Sequence, residues 1–167
     1  MTGVQTCALP ISLPLIPVNS NIGGVMAAVS ENISYVWYYD TTSSSWQSWT
    51  PGAPSDLTIM RDGKSYWVKT NRPTGATHNT TLTISGRVGP EPPEVMPTYT
   101  MEQGWNMVGF KSMVNQAANV YLAPLTPTSI YWFNNTGSVY TRILTTDNMV
   151  PGYGYWVFFG TGGSFAP

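Results

Sequence analysis

Asp62-Gly63-Lys64-Ser65-Tyr66-Trp67-Val68 returns, 89 residues later, as Pro151-Gly152-Tyr153-Gly154-Tyr155-Trp156-Val157. Met60 and Met149 hold the same spacing. Upstream, Ser34-Tyr35-Val36-Trp37-Tyr38 lies over Ser129-Ile130-Tyr131-Trp132-Phe133 at a spacing of 95, and Ile11-Ser12-Leu13 parallels Val108-Gly109-Phe110 at 97. The order is kept while the spacing drifts by a few residues, as loop insertions do to an internal duplication. A chain of 167 residues can hold two such small modules.

The second copy opens with Gly104-Trp105-Asn106-Met107, and its counterpart belongs just before Ile11. There the chain reads MTGVQTCALPI, Met1 to Ile11, which resembles the translation of a sequencing-adapter oligonucleotide that contaminates metagenomic assemblies. Such a scar is set aside from fold reasoning, as tags are. Cys7, the sole cysteine, then says nothing about redox compartment, and the natural start, with any signal peptide, is expected upstream. The apolar stretch from Ala8 to Val18 lacks a basic leader and is broken by Pro10, Pro14 and Pro17. Module one is assigned to residues 12–88 and module two to 99–167. The Pro-rich segment 89–98 between them, with Gly89-Pro90-Glu91-Pro92-Pro93-Glu94, reads as an extended linker.

Both copies carry the same elements. Ser12 to Val18, extending back to Ala8 over the adapter-like residues, and Trp105 to Phe110 read as opening strands. Tyr35 to Tyr39 and Ile130 to Phe133 are unbroken aromatic and β-branched runs, suited to strands covered on both faces. Asp40-Thr41-Thr42-Ser43 and Asn134-Asn135-Thr136-Gly137 turn them into Ser45 to Trp49 and Val139 to Leu144, completing a hairpin. Asp62-Gly63 and Pro151-Gly152 supply turns with a residue that accepts positive φ. The strands Tyr66 to Lys69 and Tyr155 to Phe159 follow them. Leu82 and Ile84, alternating with polar neighbours, suggest a half-exposed final strand. Ile22, Val25, Met26 and Val29 share one helical face, as do Val114, Ala117, Ala118 and Tyr121. The fold class is therefore mainly β: a tandem pair of small antiparallel β modules, sandwich or partly open barrel. Each has one short helix after its first strand.

Only 9% of residues are charged, against roughly a quarter in an average soluble domain. Seven Lys and Arg against eight Asp and Glu leave a net charge of −1, which supplies no basic footprint for nucleic acid. No apolar run approaches the roughly twenty residues of a membrane span. Aromatics make up 13%, including seven Trp and ten Tyr. A small module without disulfides or metal needs such side chains, because one buried Trp removes up to ~200 Å² from water, worth ~5 kcal/mol. Trp37, Trp67, Trp105, Trp132 and Trp156 are therefore assigned to the two cores. Trp46 and Trp49 stand three apart on a Ser-rich strand and face opposite sides, so one of them is free to meet a sugar ring. With nearby Tyr39 they form the candidate ligand-binding set.

No catalytic constellation emerges. His78, the one histidine, sits in a polar Gly/Thr-rich stretch and reads as a loop residue. One His and one Cys cannot assemble a multi-ligand His/Cys metal site, and no cofactor is expected. No serine lies in a G-x-S-x-G elbow. Glu91 and Glu94 fall in the linker, away from any cleft a glycosidase would need. Asp40, Asp56, Asp62 and Asp147 sit in turns, where capping explains them. Phosphate- and dinucleotide-binding glycine motifs are lacking. Asn32-Ile33-Ser34, Asn79-Thr80-Thr81 and Asn134-Asn135-Thr136 match the glycosylation sequon, which arises often by chance in a Thr/Ser/Asn-rich chain.

Ile11-Ser12-Leu13-Pro14, Trp37-Tyr38-Tyr39-Asp40 and Asp62-Gly63-Lys64-Ser65-Tyr66-Trp67, with Gly104-Trp105-Asn106 opening copy two, resemble a duplicated module of bacterial and archaeal secreted and cell-surface proteins. Its pattern is a GWN-L-I-S-L-P opening, a WYYD strand and a DGKGYW turn and strand. Ser65 departs from it, standing where the pattern has Gly, and copy one lacks the GWN. The resemblance implies a non-catalytic structural or adhesion module of a larger extracellular or surface protein. Two alternatives stand beside it: a carbohydrate-binding module working through exposed Trp and Tyr, and a self-assembling filament or surface-layer subunit. The expected partners are accordingly a cell-surface polysaccharide or a second copy joined at an open sheet edge.

Overall fold

A computed structural model of the chain describes residues 8–71, 81–87, 89, 95, 97–134 and 138–167. In module one, β1 (Ala8–Ser12), β2 (Ile33–Asp40), β3 (Ser45–Trp49) and β4 (Ser65–Thr70) form an antiparallel sheet in the order β1-β4-β2-β3. Module two repeats it with β5 (Gly104–Gly109), β6 (Pro127–Asn134), β7 (Val139–Ile143) and β8 (Gly154–Phe159), in the order β5-β8-β6-β7. One short helix follows the first strand of each, α1 (Ile22–Met26) and α2 (Ala118–Tyr121). The side chain of Asn21 caps α1 by accepting the Gly24 N–H, and a 3-10 turn over Ala27–Asn32 prolongs it. The protein is mainly β, 47% strand and 11% helical, with no closed barrel among the described residues.

The register shows where the copies correspond. Ser12 pairs with Ser65 and Gly109 with Gly154, which upholds the spacings of 97 and 89. The hairpin strands are one residue out. Trp37 pairs with Trp67, whereas Tyr131, not Trp132, pairs with Trp156. Trp37 therefore corresponds to Tyr131, Tyr38 to Trp132, Tyr39 to Phe133 and Trp46 to Tyr140. The spacing there is 94 rather than 95 (Trp37 to Tyr131), and one residue in a strand exchanges the two faces.

One face of each sheet covers its own core. Leu13, Ile22, Met26, Val36, Met60 and Tyr66 fill module one under α1. Val108, Phe110, Tyr121, Leu122, Tyr155 and Phe159 fill module two under α2. The tyrosines meet matching partners: Tyr66 Oη accepts the Arg61 N–H and Tyr155 Oη the Val150 N–H, each at 2.7 Å.

The other faces meet each other. At the centre are small or slender residues: Ser12, Ser65, Gly109, Gly154 and the buried Met107. The contacts there are reciprocal. Ser12 N–H donates to Gly152 C=O at 3.2 Å, and Gly109 N–H donates to Gly63 C=O at 2.9 Å. Ile11 bridges Tyr153 as Val108 bridges Lys64. Under the spacings of 97 and 89 each contact maps onto the other, so an internal two-fold axis relates the modules. A Cβ on Gly109 would lie 2.3 Å from the Lys64 carbonyl oxygen, so the approach needs glycine.

Several expectations are corrected. Trp37, Trp67 and Trp156 are half-buried and Trp105 is 40% exposed; none belongs to either core, because all four stand on the face turned to the other module. Trp132 alone of the five packs against a core. The opening strand of module one does occupy the place of β5, yet it ends at Ser12 instead of running to Val18, as Pro14 and Pro17 lack the donors a ladder needs. Val114 is exposed and lies outside α2. Leu82 and Ile84 rest half-buried on the core of module one without joining a strand; among the described residues the strand pairing nearby is Gly86–Arg87 with Ile16–Pro17. The linker residues 90–94, with Glu91 and Glu94, lie outside the described residues, as do Cys7 and His78.

Candidate functional site

The aromatic side chains displaced from the cores collect where the two sheets meet. Tyr39 on β2 and Trp46 on β3 face each other across the hairpin, with ring centroids 5.3 Å apart. Both reach over Trp156 of module two, at 5.6 and 5.8 Å. The reciprocal arrangement places Phe133 and Tyr140 over Trp67 of module one, at 5.0 and 6.1 Å. The Trp156 indole N–H also reaches the Tyr140 hydroxyl oxygen, which partly offsets the upward push that burial gives the Tyr140 phenol. Backbone polar groups fasten the hairpin of module one to β5. Thr41 Oγ1 donates to Trp105 C=O at 2.9 Å, and Tyr39 N–H points to Met107 Sδ at 3.3 Å.

Two hollows follow from this interlock. The larger, about 460 Å³, is lined by Tyr39, Trp46, Trp105, Tyr131, Tyr140 and Trp156. The smaller, about 360 Å³, is lined by Trp37, Trp46, Trp67 and Tyr140. They share Trp46 and Tyr140, which are 50% and 53% exposed, and the larger opens as a groove at the junction. Among the described residues every lining side chain is aromatic and none carries a full charge. Polarity comes only from phenol hydroxyls and indole N–H groups at the ring edges.

Of the sequence candidates, Trp46 and Tyr39 come together in this groove. Trp49 turns inward, paired opposite Val36 and packed on the core of module one. Tyr131, Tyr140 and Trp156, with Trp105, complete the site from module two. Their signal was the duplication itself: the residues at the positions of Trp37, Trp46 and Trp67 in the second copy are Tyr131, Tyr140 and Trp156.

A polar cleft of about 390 Å³ lies on the opposite side of sheet one, between Tyr38, Asp40, Asp56, Arg61 and Lys64. Burial holds the Lys64 ammonium below its usual range, and the Tyr38 phenol is pushed up to about 12, mainly by burial and secondarily by the Asp40 charge. Asp40 and Asp56 cap turns, through the Thr42 and Ser48 N–H groups respectively. Between the modules Lys111 Nζ meets Asp62 Oδ2 at 2.6 Å, and Tyr99 Oη bonds to both. Burial first, then the Asp62 hydrogen bond and charge, raise the Tyr99 phenol well above its ordinary value. Among the described residues no three His, Cys, Asp or Glu side chains gather as a metal site, and no helix is long and apolar enough to cross a membrane.

No family model, curated protein or solved structure matches the chain.

Proposed function

We propose that this chain is a non-catalytic adhesion module that binds neutral polysaccharide in the aromatic groove, as part of an extracellular or cell-surface protein. The observation that carries the reading is the groove lined by Tyr39, Trp46, Trp105, Tyr131, Tyr140 and Trp156, with no charged side chain among the described residues. Aromatic faces are electron-rich and attract the weakly positive C–H groups on the flat face of a sugar ring. Ring-edge hydroxyl and N–H groups can bond the sugar's equatorial hydroxyls. The extracellular setting rests on the low charge, the Thr/Ser/Asn-rich composition and the resemblance of the duplicated motifs to surface-protein modules.

The test is titration with a panel of soluble neutral polysaccharides, followed by tryptophan fluorescence. Saturable quenching by at least one of them, abolished in Trp46→Ala, is the expected result. Unchanged fluorescence across the panel would refute the assignment.

The second reading, self-assembly, draws on β7, which ends its sheet with no partner strand on its outer side among the described residues, whereas the outer side of β3 is already engaged at Ser48, whose C=O accepts the Leu57 N–H. Light scattering over a concentration series decides it, and a monomer throughout removes it.

A further inference from the structure

On the side of sheet one opposite the aromatic groove, the polar cleft holds two cations that the fold does not use. Arg61 and Lys64 line it, and among the described residues neither forms an ion pair. Burial strips water from the Lys64 ammonium. The Tyr38 ring, its centroid 5.8 Å from Nζ and so near the ~6 Å limit of a cation–π contact, returns little of that loss. Asp40 and, from module two, Glu102 act on Lys64 through space, with Arg61 opposing them. The two carboxylates of the cleft are engaged elsewhere. Asp40 accepts the Thr42 N–H at 3.1 Å and the Ser43 hydroxyl at 3.0 Å. Asp56 accepts the Ser48 N–H at 2.6 Å and the Ser48 hydroxyl at 3.4 Å.

The duplication supplies the control. At the spacing of 89, Arg61 corresponds to Val150, Lys64 to Tyr153 and Tyr66 to Tyr155. The tyrosine hydroxyls that accept the N–H of Arg61 and of Val150 fix this correspondence. On the hairpin, Tyr38 corresponds to Trp132 and Asp40 to Asn134. In module two the same place is a smaller hollow, about 240 against 390 Å³, with no charged lining side chain among the described residues. Tyr153 packs edge-on against Trp132 there, at 5.2 Å, where Lys64 lies over Tyr38. The scaffold is thus complete with valine and tyrosine where module one carries a guanidinium and an ammonium. Unpaired cations drawn partly out of water cost the fold energy, and an anion entering the cleft offsets that cost.

We infer that this cleft of module one is a second binding site, which takes a sugar acid: Arg61 and Lys64 hold its carboxylate while Thr42, Gln47 and Thr58 meet its hydroxyls. The planar fork of an arginine matches a carboxylate through two parallel N–H···O bonds. One negative charge suits the cleft, because Asp40 and Asp56 repel a phosphate dianion. Their remaining lone pairs accept hydroxyl donors instead, which calls for a polyhydroxy ligand. A volume of about 390 Å³ falls at the small end of the ~300–1,000 Å³ range of ligand pockets and suits a single acidic sugar residue. The cleft shares no lining residue with the aromatic groove, so the two sites stand or fall separately.

The experiment titrates the full chain with glucuronate, glucose, inorganic phosphate and inorganic sulfate, read by calorimetry and by backbone amide NMR shifts. Glucuronate should bind saturably and roughly tenfold or more tighter than glucose, the worth of about one charge-assisted pair, and should shift the amides around Tyr38, Arg61 and Lys64. Arg61→Val and Lys64→Tyr each install the residue that module two carries at the matching position. Each should weaken glucuronate roughly tenfold, and added salt should weaken it in the wild type. The wild-type shift map remains decisive if either variant fails to fold. Glucuronate bound no better than glucose, shifts gathered outside the cleft, or affinity unchanged in both folded variants overturns the inference. Phosphate or sulfate bound as tightly as glucuronate overturns it too, since the cleft would then be a bare anion site. None of these results bears on neutral glycan in the groove, which its own titration decides.

Discussion

Ser65 and Gly154 lie against each other on the two-fold axis, and the hydroxyl of Ser65 is buried without a hydrogen-bond partner. A Cβ added at Gly154 would stand 1.8 Å from that Oγ and 2.9 Å from the Ser65 Cβ, so glycine here makes room for the serine opposite. Gly154→Ala should cost ~2 kcal/mol or more, in the range of overpacked interiors. Ser65→Ala should raise stability by ~1 kcal/mol, because it removes a buried hydroxyl that bonds to nothing. Ser65→Gly combined with Gly154→Ala should recover most of the loss. Denaturant unfolding of the wild type, Ser65→Gly, Gly154→Ala and the double variant closes the cycle, and simple additivity of the two substitutions would contradict the contact. Asp62 offers a second test at this scale. Asp62→Ala leaves the Lys111 ammonium, 9% exposed, without its carboxylate. A loss of ~2 to 3 kcal/mol is expected, below the ~3–5 of a fully enclosed broken pair because the Asp62 side chain keeps 18% of its surface in water.

At the scale of the element, Trp46 and Trp49 on one strand separate two roles. Trp49→Ala should lower the unfolding free energy by ~2 to 3 kcal/mol, since that ring packs on the core of module one. Trp46→Ala should cost only ~1 kcal/mol of stability, its ring contacts being half in water, yet remove the proposed glycan binding. Equal stability losses in the two variants, measured by thermal melting, would dismiss this division. That the two would face opposite sides was legible from their spacing alone. The repeat, the succession of strands along it and the helix after each opening strand were legible too, because they rest on motif order and turn residues. What escaped was the hairpin register. Laying Trp37 over Trp132 matches like with like, but a sequence comparison rewards identity and is blind to which face a side chain occupies. The continuous apolar runs were rightly taken as strands covered on both faces. Nothing in one strand's composition tells its own core from a neighbouring module, so Trp67 and Trp156 were placed inward. Trp105 was lost to the groove for the same reason.

For the whole molecule, tyrosine phenols largely withdrawn from water tie folding to alkaline pH. Burial raises the phenols of Tyr38, Tyr66, Tyr99 and Tyr121 above their unfolded values, Tyr38 to about 12. The folded state thus favours the neutral phenol. Stability from this source is complete below the free-tyrosine value near ~10 and falls as pH climbs through about 12. Thermal melts taken at rising pH, with tyrosinate absorbance followed in parallel, should show the midpoint dropping over that interval. A midpoint that stays level while the phenols ionise would contradict it. The reciprocal embrace of Trp67 by Phe133 and Tyr140, and of Trp156 by Tyr39 and Trp46, also bears on heredity. A gene that gained or lost a single copy would encode an aromatic face with nothing to close on, a sticky liability for its bearer. Recombination among genes carrying this unit should accordingly preserve parity, so that copies are inherited by twos.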